Sequence, residues 1–251
     1  MQRRSFLTSA AFLSGIAVAG CVGSGAEGGG GSEDTVLGPP DREYDVDPAD
    51  LAYPAYGQPI PDFTLPSPLH DRAVSTREYV GERETLLTFV FTRCGGPCPA
   101  QTAALARTQA AAAEGGYADE VVFMPITFDP AYDTAGRIRE FSEINGADPT
   151  AANWQFLRPE TPERAKAVVG SESGFAVGFE EAEGGHGGHG GSPDQGEVLE
   201  PEAAGEEQSF VHTNLLLLVN RDGFVERAYS PQPPRPDIVI TDLEAVREGY
   251  E

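Results

Sequence analysis

Apolar positions along this chain fall into runs of distinct period, and the periods predict the elements. Thr85-Leu-Leu-Thr-Phe-Val-Phe91 is a largely apolar run with only threonines among its aliphatic and aromatic residues, rich in β-formers, the mark of a strand buried on both faces. Val121-Val-Phe-Met-Pro-Ile126 predicts a second buried strand, and the alternating Pro61-Asp-Phe-Thr-Leu65 a short one. Residues 100–113 are almost all Ala, Leu, Gln and Thr and predict a strong helix, stopped by Gly115 and Gly116. After a loop at 127–134, Ile138, Phe141 and Ile144 fall on one face of a helix over 135–145, with Gly146 as its stop. Thr161-Pro162-Glu163 starts a short helix ending at Gly170. Residues 210–219 read as one strand, turned by Asn220-Arg-Asp-Gly223 into a hairpin with 224–228. A last helix is expected from Thr241, with Glu244 completing a capping box.

This order predicts an α/β domain of thioredoxin-like plan, a central mixed sheet flanked by helices, over residues 56–251. Three stretches stand apart from it. Residues 1–21 have a positive start at Arg3-Arg4 and an apolar run over 6–19, and they end in Ala-Gly-Cys21. The run is about 14 residues, short of the roughly 20 a membrane span needs, so it predicts a cleaved export signal of the twin-arginine type. Its ending has the form of a lipobox, which would put a lipid on Cys21; a plain cleaved signal with an incidental cysteine is the alternative. Residues 22–55 are Gly-rich, then acidic with prolines, and predict a flexible acidic tether. Residues 180–208, rich in Gly, Glu and His, predict a disordered insertion within the domain.

Charge narrows the partners. Forty acidic residues against 17 basic ones leave a net charge of −23, and Lys166 is the sole lysine. Nucleic acid and anionic surfaces would repel such a chain. General solubility explains the excess, and so does a halophilic source, whose proteins keep acidic, lysine-poor surfaces hydrated in salt.

Three cysteines are too few and too unevenly placed for a disulfide framework. Cys94 and Cys98 stand where a buried strand gives way to a helix, separated by Gly95-Gly96-Pro97. A helix N-terminus favours thiolate over thiol, and thiolate is the form that attacks disulfides and binds metal. A spacing of four puts both sulfurs on one side of the first turn, able to pair with each other or to converge on a soft ion. A structural disulfide closing so short a loop would gain little chain entropy, and the Gly-Gly-Pro setting is unlike that of two unrelated core cysteines. His212 opens a strongly apolar strand. It reads either as a hydrogen-bonded structural residue or as a third ligand, since a neutral imidazole with two thiolates makes a trigonal Cu(I) site.

These residues resemble the Sco/SenC family of copper-binding, thioredoxin-fold proteins. The resemblance rests on Phe89-Val-Phe-Thr92-Arg-Cys94-Gly-Gly-Pro-Cys98-Pro99, on Thr127-Phe-Asp129-Pro-Ala-Tyr-Asp133-Thr134, on Asn153-Trp154-Gln-Phe-Leu157, and on Phe210-Val-His212-Thr with its following turn. It implies that Cys94, Cys98 and His212 bind copper. It also implies that Asp129 and Asp133 lie near the site and help to dock a partner, loop and helix capping being the alternative. The implied function is that of a membrane-anchored, extracytoplasmic copper chaperone. Its partner would be subunit II of a haem-copper oxidase or another copper protein. The alternative is a metal-free thiol-disulfide oxidoreductase using the same two cysteines. Val211 stands where family members often carry Asp, which removes a partner for the imidazole. His186 and His189, in the Gly-rich insertion, read either as incidental residues of a solvated loop or as auxiliary, low-affinity copper donors. A peroxiredoxin is disfavoured, because Leu87–Arg93 lacks the proline that chemistry requires before its cysteine.

Overall fold

Two seven-residue strands buried at every position form the centre of the molecule, as expected of strands covered on both faces. They are β3 (Glu84–Val90) and β4 (Val121–Thr127), paired in parallel. The computed structural model describes residues 34–40, 50–170, 173–177, 179–181 and 210–251. Strands β7 (Leu216–Val219) and β8 (Val225–Tyr229) complete a four-stranded mixed sheet of order β4-β3-β7-β8, both added antiparallel. A segment through Trp154 and Leu157 lies along the free edge of β4, with Leu157 N donating to Pro125 O at 2.7 Å and Thr127 N to Leu157 O at 3.0 Å. The edge is thereby covered.

Helix α1 (Cys98–Glu114) crosses from β3 to β4 and packs against α4 (Pro236–Glu248); α2 (Ala135–Ile144) and α3 (Pro162–Val169) follow β4. Thr134 and Thr161 accept from the backbone N–H groups of Arg137 and Arg164, capping α2 and α3 as their sequences suggest. The expected thioredoxin-like plan is therefore present.

Some boundaries differ from expectation, for physical reasons. Helix α4 starts at Pro236, five residues before Thr241, because proline presets the first helical φ and the buried stripe Val239, Leu243, Val246 begins upstream of the capping box. Strand β1 (Thr64–Ser67) falls further along than expected and pairs with β2 (Arg72–Ser75), a strand not foreseen. Only Val74 of β2 is buried, so no alternation marks it in the sequence. The run 210–219 is two strands. Its first part, β6 (Phe210–His212), leaves the main sheet and pairs antiparallel with β5 (Phe179–Glu181). Residues 180 and 181 of the expected insertion thus belong to a strand, and 182–208 lie outside the described residues.

Part of the expected tether is docked. Buried Glu226 on β8 accepts from Val36 N (2.7 Å) and Leu37 N (2.9 Å), one through each carboxylate oxygen. Asn220 Nδ2 donates to Asp34 O at 2.8 Å, Tyr56 Oη to Leu37 O at 2.7 Å, and Arg227 to Gly38 O at 2.9 Å. This strap lies at the end of the sheet where β3 begins, since Val219, just before Asn220, pairs with Thr85.

Candidate metal centre

The cysteines sit at the other end. Strand β3 delivers the chain to Phe91, and Cys94 N donates back to Phe91 O at 3.2 Å, turning the backbone out of the sheet. Gly96 N approaches Cys94 Sγ at 3.4 Å. Pro97 then occupies the N-cap of α1 with no side-chain cap, and no acidic residue lies in the first turn. Both features leave the positive helix end to the sulfurs.

Cys94 and Cys98 are not joined in a disulfide. Cys94 is partly exposed and Cys98 fully buried. The Cys98 thiol is pushed well above its ordinary range, first by its hydrogen bond to Cys94, then by burial and by the charge on Cys94. The pair thus presents one outward sulfur, with the proton held on the inner one.

The two residues before Cys94 are each gripped by an aspartate. Asp133 accepts from Thr92 N at 3.2 Å through both oxygens, and also from the hydroxyls of Thr92 and Thr127. Burial raises its pKa above the usual aspartate range, against the opposing pull of these hydrogen bonds. Asp129 takes an ion pair from Arg93 Nε at 2.8 Å, and Arg93 lies over the Tyr132 ring. Asp133 is wholly buried and Asp129 only 4% exposed. Neither caps α2, whose cap is Thr134. They brace the loop that carries Cys94.

His212 ends β6 with its backbone opposite Phe179; its side chain lies outside what is described, as do His186, His189 and Cys21. Thr213 N donates to Val177 O at 2.7 Å, and two residues later the chain enters β7, where Leu216 pairs with Thr88. Thr88 lies near the end of β3 that leads to Cys94, so the topology returns the His212 segment to the cysteine end of the sheet. Among the described residues no three His, Cys, Asp or Glu side chains form a group able to hold a metal.

Two polar residues absent from the sequence reading lie directly behind the site. Gln101, buried on α1, has an amide that satisfies both its groups by donating to Phe89 O (3.3 Å) and accepting from Leu215 N (3.2 Å). Thr88 Oγ1 donates to Leu215 O at 2.8 Å. The available signal was the position of Gln101, one turn after Cys98 in a helix otherwise suited to burying alanine and leucine.

Comparison with known proteins bears out the resemblance drawn from the sequence. Residues 58–152 match the SCO1/SenC family model. No curated protein matches the chain. A SCO1/SenC family lipoprotein from Bacillus anthracis superposes with a TM-score of 0.55 at 19% identity, over 78% of this chain and 96% of that one. BsSco, described with a disulfide switch and as a member of the Sco family of cytochrome c oxidase assembly proteins, gives 0.53 at 20% identity, over 78% and 97%. Bradyrhizobium japonicum ScoI with copper bound gives 0.51 at 19% identity, over 76% and 98%. At these identities the structures speak for the fold.

Proposed function

We propose that this chain, whose residues 58–152 match the SCO1/SenC family model, is an exported copper carrier that helps to assemble the copper centre of a haem-copper oxidase. Copper is its cargo, held by Cys94, Cys98 and His212. The observation that carries this reading is the pair of cysteines, not joined in a disulfide, at the uncapped start of α1, at the same sheet end to which the His212 segment returns. Two thiolates and an imidazole form a soft donor set suited to Cu(I). Copper-bound and oxidase-assembly proteins among its structural neighbours support the choice of metal and role. The leader supports export, and the lipobox supports anchoring through Cys21 to the outer face of the cell membrane. Subunit II of the oxidase is the proposed acceptor. His186 and His189 would be auxiliary donors.

Anaerobic Cu(I) titration of the reduced full chain in detergent tests the reading. One tightly held Cu(I) per chain is expected, lost in Cys94→Ser and weakened in His212→Ala. Wild-type affinity in His212→Ala would sink it.

The exposure difference between the sulfurs also favours a second reading, thiol-disulfide exchange without metal. Cys94 thiolate would attack a partner disulfide, releasing one partner thiolate. Cys98 would then lose its proton and displace the second, leaving a Cys94–Cys98 disulfide and a reduced partner. In that case His212→Ala leaves exchange rates unchanged.

A further inference from the structure

We infer that Gln101 and Thr88 are positioning residues that fix where His212 enters the copper site, by holding both backbone groups of Leu215. The inference rests on the ligand role proposed for His212.

Leu215 lies one residue before the β7–β3 pairing begins at Leu216 and Thr88. With the Gln101 amide assigned the orientation that satisfies both its groups, its oxygen accepts from Leu215 N at 3.2 Å, and the Thr88 hydroxyl donates to Leu215 O at 2.8 Å. Gln101 is anchored in turn to Phe89 O at 3.3 Å, so one amide ties α1 to β3 and both to the segment leaving His212. Gln101 and Thr88 are both fully buried.

Placing a primary amide there carries a desolvation cost that a leucine of similar length avoids. What the amide adds is direction. Gln101 stands one turn after Cys98, and Thr88 stands on the strand that runs out to Cys94. Between Leu215 and His212 lie only Thr213 and Asn214, and these are held as well, Thr213 N by Val177 O (2.7 Å) and Asn214 Nδ2 to Pro231 O (2.9 Å). The arms that bear the three proposed donors therefore meet at one buried polar junction. Partners of this kind, which orient a ligand without touching the metal, typically carry about 10- to 100-fold in metal affinity.

The test is a double-mutant cycle on the full chain in detergent, read by Cu(I) competition against a bicinchoninate chelator. Gln101→Leu should weaken Cu(I) binding about 10- to 100-fold when His212 is present. In the His212→Ala background it should change binding by no more than about twofold, the limit of additivity. X-ray absorption of the Cu(I)-loaded Gln101→Leu protein should show the nitrogen donor weakened or lost, with both sulfurs kept. Equal losses in both backgrounds would mean that Gln101 only supports the fold, and no loss in either would mean that it does nothing for the site; each overturns the inference. A His212→Ala protein that binds as wild type fails the copper-carrier reading itself, and is told apart by that single variant. Should Gln101→Leu not fold, as judged by its thermal transition, Thr88→Val removes the partner of Leu215 O with little change of shape and takes its place in the cycle.

Discussion

Asp133 presents no surface to solvent; its Oδ1 accepts from Thr92 and its Oδ2 from Thr92 and Thr127. Its value lies in holding Thr92 two residues ahead of Cys94. Asparagine in its place keeps one acceptor oxygen but turns an NH2 toward groups that donate, and the backbone N–H of Thr92 cannot reverse its role. Asp133→Asn should therefore lower stability by about 2 kcal/mol in urea unfolding near neutral pH. The penalty depends on pH. Burial raises the Asp133 pKa in the folded protein above its ordinary value, so its charge weighs against folding above the folded-state pKa. That burden lifts as pH falls toward the unfolded value. The stability gap between wild type and Asp133→Asn should widen in favour of wild type on acidification. A gap that stays flat across that range would show that no desolvated carboxylate is present.

At the scale of elements, periodicity made the core legible and left the polar joints hidden. Strands β3 and β4 were readable because continuous apolar runs have few other uses, and α2 because Ile138 and Phe141 share one buried face, although Ile144, expected beside them, is 76% exposed. The cysteine pair was readable because Gly-Gly-Pro between a buried strand and a helix suits little else. The missed features share one cause: their meaning lies in a partner distant in the chain. Gln101 acts on Leu215, and Glu226 on Val36 and Leu37, 190 and 189 residues away. No local pattern announces such a pairing. The split of 210–219 was hidden likewise, since pairing partners, not composition, end β6 at His212. The strap makes its own prediction. In Glu226→Ala, amide hydrogen exchange at Val36 and Leu37 should rise to the rate of an unstructured chain, while β3 stays protected. Retained protection at both amides would show that the carboxylate does not hold the strap.

Over the whole molecule, a net charge of −23 on 251 residues sets a repulsive background. Exposed charges interact over about 30 Å at 0.01 M salt but only about 3 Å at 1 M. The thermal midpoint should therefore climb as NaCl is raised from about 10 mM to about 1 M, before any specific ion effect is invoked. A midpoint that does not move would mean that the acids are spread too thinly to oppose the fold. The same background discourages acidic partners from approaching.

The strap and the thiols occupy opposite poles of the sheet, and this has a mechanical consequence if Cys21 carries the lipid. Twelve residues separate Cys21 from Asp34, a leash of no more than about 45 Å at full stretch. Any pull along it lands on the corner formed by Asn220 and Glu226 and leaves the mouth at Cys94 unloaded. An anchor at that point would leave the end of the sheet that carries the two cysteines unobstructed by its own attachment.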